Sequence, residues 1–349
     1  MNKKLIFRCD AGSAPEIGTG HVTRSKTIAN SLVEKGFLLP NDIYFYTRSD
    51  IDYDLGESHL CKSGYEYQVF PNSQLEANSI SEINILKNSS ASLILMDRLQ
   101  TTENFVRAIS SSGKKIVTFD DYGSGRIHAD LAINAIFDDI DYSENLKKGY
   151  EYLVLSQPTY FPVPIKKNVE KIVATFGGLD ARNLCKFFLE NSSCIPESCS
   201  VDVILGKCDK SLVNDYLAYI EAKKNTDKFQ LHVFPPNYHN IIAGADLAIT
   251  SGGLSIFEFL AYGVPTIGLP QYKHQHRTIK KLEDAGIGLL GSNGMILLDE
   301  MFELALNKML NNFSLRKSMA MKARASIDGN GIDRIVNLLI DKFPENFYA

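Results

Sequence analysis

The chain has no apolar run approaching the length of a membrane span, so no membrane insertion is expected. Only Leu5-Ile6-Phe7 separates the two N-terminal lysines from Arg8, too short for the core of a secretory signal. No sign of charge dominates: a net −4 over 349 residues gives no general nucleic-acid surface, and no nucleic-acid partner is expected. The six cysteines (9, 61, 185, 194, 199 and 208) contain no CxxC pair, and the spacing of Cys194, Cys199 and Cys208 fits no zinc motif. Reduced thiols and a cytoplasmic address are the expectation. Heptads, repeats of solenoid period and low-complexity tracts are absent too. What is there, 44% hydrophobic and 22% charged residues, is the make-up of an ordinary globular protein with room for two cores.

Short β-rich runs alternate with longer amphipathic segments, which predicts an α/β chain with parallel sheets covered by helices. Strands are expected near 4–10, 42–48, 65–70, 92–97, 114–120, 130–135 and 151–155, with helices over 20–35, 78–89 and 101–112. Around Gln157-Pro158 and from Pro162 to Asn168 the composition turns to proline and then lysine, as in an interdomain linker. The alternation restarts with strands at 171–176, 201–205, 229–234, 246–250, 265–269 and 287–290, a helix from about Ala181 and a helical end over 299–342. Two doubly wound, Rossmann-like domains are expected, residues 1–165 and 166–349. Each opens with a strand and a glycine turn, and both turns are expected at a central cleft, since such sheets bind ligands at their strands' carboxyl ends.

The first candidate site is the stretch Gly18-Thr19-Gly20-His21-Val22-Thr23-Arg24, behind Asp10 at the end of the first strand. Gly18 and Gly20 remove side chains where a phosphate or sugar must approach backbone. His21 falls in the first turn of the following helix, where the helix N-terminus disfavours an imidazolium, and a neutral imidazole accepts a proton. Arg24 lies three residues on, on the same helical face. It is either a substrate contact or an ordinary salt-bridging helix residue. Asp10 either orients His21, binds a sugar hydroxyl, or caps a turn.

The second candidate runs from Ala245 through Thr250-Ser251-Gly252-Gly253-Leu254 to Glu258: a buried strand, a glycine turn and a helix start. Free backbone N–H groups there can cradle a diphosphate, with Gly252 and Gly253 allowing close approach and Ser251 assisting. Glu258, one turn on, can accept both hydroxyls of a ribose. Further along, Gln275 is a candidate sugar contact. His274 and His276 flank it without a nearby carboxylate, so no metal is expected. Asp120-Asp121 follows a strand and can reach the cleft, whereas Asp138-Asp139 reads as loop surface.

These motifs resemble the pseudaminic-acid pathway UDP-sugar hydrolases, which remove UDP from a 2,4-diacetamido-2,4,6-trideoxy-altrose nucleotide. The resemblance rests on Arg8-Cys9-Asp10 with Gly18 to Arg24, Phe119-Asp120-Asp121, Gly177-Gly178-Leu179-Asp180 and Ser251 to Glu258, in that order. The whole is similar to GT-B glycosyltransferases, particularly the enzyme that adds N-acetylglucosamine to lipid I. The resemblance implies a GT-B fold holding UDP in the C-terminal half, and neither a divalent metal nor another cofactor. It implies that His21 activates water for inverting attack on the anomeric carbon, with Gly252 and Gly253 stabilising the departing diphosphate. It also implies substrate contacts at Asp97, Gly177, Gly178 and Asp180, and a uracil contact within Phe234 to Tyr238. Two departures bear on the sugar: Leu99 replaces a tyrosine after Asp97, and Tyr152 to Gln157 lacks the usual arginine.

A GT-B glycosyltransferase, in which His21 deprotonates a soluble or lipid-linked acceptor, is the alternative. A nucleotide-sugar-binding regulator is disfavoured because His21 and Glu258 are both present. An NAD enzyme is disfavoured because no third glycine completes the dinucleotide fingerprint.

Overall fold

The computed structural model describes residues 4–12, 18–136, 143–156, 160–178, 180–206, 208–223 and 227–348. Leu179, Asp138-Asp139 and Gln157-Pro158, all singled out above, lie outside the described residues. The chain divides into two compact units, residues 1–158 with 329–349, and residues 159–328.

In unit 1, strands β1 (Leu5–Cys9), β2 (Ile43–Ser49), β3 (Glu66–Pro71), β4 (Leu93–Asp97), β5 (Lys115–Phe119), β6 (Leu131–Asn134) and β7 (Leu146–Lys148) form one sheet. Its order is β3-β2-β1-β4-β5-β6-β7, and every pair is parallel. Helices α1 (Gly20–Glu34), α2 (Gly56–Leu60), α3 (Asn72–Leu75), α4 (Ile80–Asn88) and α5 (Glu103–Ser110) lie between the strands in sequence. All five residues of β1 and of β4 are buried, as a parallel sheet covered on both faces requires. Strand order reverses between β1 and β4, and that crevice is where open α/β sheets take ligands.

Unit 2 repeats the plan. Its strands β8 (Lys171–Thr175), β9 (Ser200–Leu205), β10 (Phe229–Val233), β11 (Leu247–Thr250), β12 (Thr266–Gly268) and β13 (Leu289–Leu290) run in the order β10-β9-β8-β11-β12-β13. Pairing is again parallel throughout. Helices α6 (Leu184–Glu190), α7 (Lys210–Ala222), α8 (Tyr238–Ala243), α9 (Leu254–Tyr262), α10 (Lys273–Asp284), α11 (Asp299–Asn311) and α12 (Phe313–Ser326) complete it. Here the order reverses between β8 and β11, the strands that lead into Gly177-Gly178 and Ser251-Gly252-Gly253.

Two expectations are corrected together. Residues 151–155 are not a strand: Gly149, at φ 124°, ends β7, a 3-10 turn covers Tyr150–Tyr152, and Leu153-Val154-Leu155 run irregularly but buried. Helix α13 (Gly331–Lys342) packs on unit 1, not on the second half to which the sequence assigned it. Ile335, Val336, Leu339 and Ile340 join Phe7, Phe45 and Val154 in one core, each such side chain worth about 1.5–3 kcal/mol when fully buried. A methyl on Gly331 would stand 2.0 Å from the Leu153 carbonyl oxygen, so the two segments meet backbone to backbone. The 151–155 run is apolar because α13 covers it. The proline–lysine stretch, for its part, is held by unit 2: Val163 N–H donates to Tyr262 O (3.0 Å) and Arg316 donates to Lys167 O (2.7 Å).

Candidate functional site

Unit 1 gathers its polar residues at the reversal point. Gly18 is left-handed (φ 53°) and Gly20 is the first residue of α1, whose N-terminus has no side-chain cap and no acidic residue in its first turn. His21 Nδ1 lies 2.7 Å from Asp97 Oδ1. Arg24 donates to the same carboxylate through Nε (2.8 Å) and Nη2 (2.5 Å), and Ser25 adds a longer bond (3.3 Å). The other Arg24 nitrogen pairs with Asp120, whose Oδ1 in turn accepts the N–H groups of Ala135 and Ile136. Burial, the largest influence, acts to raise the Asp97 pKa. The charge and hydrogen bonds of Arg24, with that of His21, outweigh it and leave Asp97 below the ordinary carboxylate range.

An ionised carboxylate only accepts, so His21 Nδ1 donates in this pair, and Nε2 is the ring nitrogen that Asp97 does not engage. The arrangement is a histidine oriented by a carboxylate, the carboxylate itself clamped by a buried arginine. It bears on three expectations. Asp97, which the resemblance made a substrate contact, holds His21 and Arg24, and Arg24 takes the salt-bridging role of its two readings. Asp10, for which orienting His21 was one of three readings, is bound instead by Arg8 (2.7 Å) and by the backbone and side chain of Arg48 (both 2.9 Å).

The reason is sheet geometry. Cys9 and Asp97 are register partners, so they share the face on which α1 packs, while Asp10 follows Arg8 by two and shares the other. There Arg8, 0% exposed, also donates to Glu82 of α4 (2.7 Å), which receives Arg98 as well (2.9 Å). Sequence reading missed this network, although an arginine inside Leu5-Ile6-Phe7-Arg8-Cys9 was its signal. Asp121 is separate again, accepting Thr101 N–H (3.0 Å), the Thr101 hydroxyl and Gly123 N–H (2.7 Å). Burial pushes its pKa up to about 6 despite these bonds.

In unit 2 the turn after β11 is shaped by α10. A methyl on Gly252 would meet Gln275 O at 2.7 Å, whereas one on Gly253 would find nothing nearer than 3.9 Å. Gly253 is the N-cap of α9 with no side-chain cap, leaving the first-turn N–H groups for a ligand. Gln275 accepts Gln271 N–H through Oε1 (2.9 Å), and its Nε2 is the atom nearest that hypothetical Gly253 methyl. Ser251 is buried beside them, within 4.0 Å of both glycine positions Gly177 and Gly253.

Gly177 is left-handed (φ 82°), and around Gly178 there is open space. Asp180 also caps a helix: its two oxygens accept Leu184 N–H and Cys185 N–H, each at 2.7 Å, at the start of α6. Gln271, unnoticed in the sequence, braces this turn by donating to Phe176 O (2.6 Å) and accepting Ala181 N–H (2.8 Å). Phe234 closes β10 with a positive φ of 45° and its side chain 63% exposed. A bulky residue held in that conformation is costly. Glu258 is only 7% exposed and accepts the Tyr238 hydroxyl at 2.9 Å.

Among the described residues, no group of three or more His, Cys, Asp or Glu side chains can hold a metal ion, and no helix is long and apolar enough to cross a membrane.

Residues 172–335 match the glycosyltransferase family 28 C-terminal domain. The chain is 26% identical over 341 residues to the spore coat polysaccharide biosynthesis protein SpsG of Bacillus subtilis (strain 168), covering 95% of this chain and 96% of that protein. The crystal structure of Acinetobacter baumannii MurG superposes with a TM-score of 0.69 at 16% identity, over 97% of this chain and 99% of that one. Anabaena Alr3699/HepE, solved in complex with UDP, gives 0.59 at 13% identity, over 97% and 99%. The fold is GT-B: two parallel-sheet, Rossmann-like domains. The chain is glycosyltransferase-like in sequence over its second half and SpsG-like over nearly its whole length.

Proposed function

We propose that the protein is a UDP-sugar-dependent glycosyltransferase of surface-polysaccharide synthesis, in which unit 2 holds UDP and His21 of unit 1 is the general base. The observation that carries this reading is His21 bonded through Nδ1 to Asp97, itself clamped by Arg24, at the β1/β4 reversal, which leaves Nε2 for the acceptor. The acceptor's hydroxyl proton passes to Nε2 while its oxygen bonds to the anomeric carbon. The carbon–oxygen bond to UDP breaks, and its electron pair leaves with the diphosphate. Inversion follows from this single displacement. The N–H groups at the start of α9 and the Gln275 amide receive the diphosphate, Glu258 the ribose and Phe234 the uracil. The family 28 domain match over unit 2 and the polysaccharide-synthesis name of SpsG support transfer.

Hydrolysis is the second reading, favoured by the resemblance of Gly18 to Arg24 to the UDP-sugar hydrolases, and a base so oriented can deprotonate water equally well. One experiment separates them. A panel of UDP-sugars is incubated in ¹⁸O-water, with and without candidate sugar acceptors and with and without divalent metal, and products are read by mass spectrometry. Turnover only with an acceptor establishes transfer. Label in a released sugar, with unlabelled UDP and no acceptor, establishes hydrolysis at the anomeric bond. UDP binding with neither outcome across a complete panel removes the catalytic reading.

A further inference from the structure

We propose that Tyr238 is a positioning residue for nucleotide recognition: its hydroxyl sets the Glu258 carboxylate to receive both ribose hydroxyls and so selects ribonucleotides over 2′-deoxyribonucleotides. This rests on the reading that unit 2 binds UDP through Glu258. Ser255 and Glu258 stand three apart on α9 and therefore on one face. Tyr238, the first residue of α8, reaches both, donating to Glu258 Oε2 at 2.9 Å and hydrogen-bonding Ser255. A tyrosine has one proton to give, and a carboxylate can only accept, so the chain runs Ser255 to Tyr238 to Glu258. Burial first, and Glu258 second, push the Tyr238 pKa well above its usual value, which keeps it a neutral donor at any working pH.

Glutamate has three side-chain torsions, and a vicinal diol needs one acceptor on each carboxylate oxygen in a fixed plane. A hydroxyl already seated on Oε2 fixes that plane before ligand arrives. The same segment sets the base platform. Phe234 N–H donates to Leu205 O (3.2 Å), Pro235-Pro236 stiffen the turn, and Tyr238 N–H returns to Pro235 O (3.2 Å). Base contact and ribose contact thus share five residues of rigid backbone.

The test is calorimetric titration of UDP and 2′-deoxy-UDP into the full chain as wild type, Tyr238→Phe and Glu258→Ala, with thermal unfolding in parallel. Wild type should prefer UDP by about tenfold or more, the scale of one hydrogen bond to a charged group. Tyr238→Phe should weaken UDP and cut that preference by roughly threefold, because the loosened carboxylate serves the second hydroxyl less well. Equal weakening of both nucleotides marks a merely structural tyrosine and overturns the proposal. So does unchanged binding, or tighter UDP binding, which would mean that Tyr238 competes with ribose. If Glu258→Ala leaves UDP affinity intact, the ribose reading itself fails and the proposal with it. If that variant weakens UDP while Tyr238→Phe keeps the preference, only the role of Tyr238 fails. Should Tyr238→Phe not fold, Ser255→Ala carries the same test: a smaller loss of the preference supports the proposal, and an unchanged preference overturns it.

Discussion

Asp97→Asn isolates the charge on which the unit 1 site is built. The substitution keeps size and shape, but it turns one accepting oxygen into a donor among four donors from His21, Arg24 and Ser25. Whichever way the amide turns, an N–H faces an N–H: with its nitrogen in the Oδ1 place His21 loses its acceptor, and with its nitrogen in the Oδ2 place Arg24 Nε loses one and the clamp behind His21 loosens. The rate should fall about 10²–10⁴-fold, the range for a misoriented base. UDP affinity should stay within about twofold, because Asp97 lies in unit 1 and the proposed nucleotide contacts lie in unit 2. Stability falls too. Arg24 is buried, and removing one partner of a buried pair costs roughly 3–5 kcal/mol, towards the lower end here because Asp120 remains.

The sign with pH follows from the direction of the Asp97 shift. A lowered folded-state pKa stabilises fully above the unfolded value, near pH 4, and that contribution disappears as pH falls through the folded value. The difference between wild type and variant therefore shrinks below about pH 4. Urea unfolding at pH 7 and pH 3, steady-state turnover with the productive donor and acceptor, and UDP titration measure the three effects. A folded variant with near wild-type turnover would remove Asp97 from the chemistry. A matched loss of UDP affinity would move it into the nucleotide site.

Gly252→Ala and Gly253→Ala should separate packing from ligand approach. The first drives a methyl against the α10 backbone at Gln275 and should cost about 1–3 kcal/mol; the second should leave the melting temperature alone and weaken UDP, and equal melting of both variants refutes the distinction. Asp10, held at a pKa of about 2 by Arg8 and Arg48 in spite of burial, contributes about 2 kcal/mol above roughly pH 4 that is lost towards pH 2. Asp10→Asn should therefore be less stable at neutral pH and show a flatter acid limb in urea unfolding; a parallel limb would contradict the ion-pair account. Asp121 has the opposite sign: its folded pKa near 6 makes its ionised form a liability, so stability falls as pH rises from about 4 to 6. Asp121→Asn keeps the Thr101 and Gly123 N–H bonds on one oxygen, and should be as stable as wild type or more so at pH 7, with that slope abolished. A variant clearly less stable at pH 7 would show that the charge is needed there.

What could be read in the sequence was whatever repeats locally. A strand, a glycine turn and a helix start form one contiguous signal, so β1 with Gly18 to His21 and β11 with Ser251 to Gly253 were legible, as was the parallel-sheet class. What was not legible is set by distance along the chain. His21 and Asp97 are 76 residues apart and Arg24 and Asp120 are 96 apart, so no local pattern announces that they share a carboxylate or a salt bridge. Asp10, by contrast, counts His21 among its candidate partners because it sits nearby in sequence. Strand alternation turns it to the other face, where Arg8 and Arg48 claim it. The same limit hid α13 from unit 1: helix periodicity shows that Ile335, Val336 and Leu339 need a core, and not which one.

Both units nevertheless place their glycine turns by one rule, at the point where strand order reverses. That position alone has helices leaving to opposite faces and backbone N–H groups opening between them. Residues that bind are therefore expected in the two turns themselves, and those that tune them one layer behind, on strands that only the fold makes neighbours. Asp97 behind His21 and Tyr238 behind Glu258 have the same standing in that scheme: each is a partner that fixes the direction in which a reactive or recognising group presents its lone pairs.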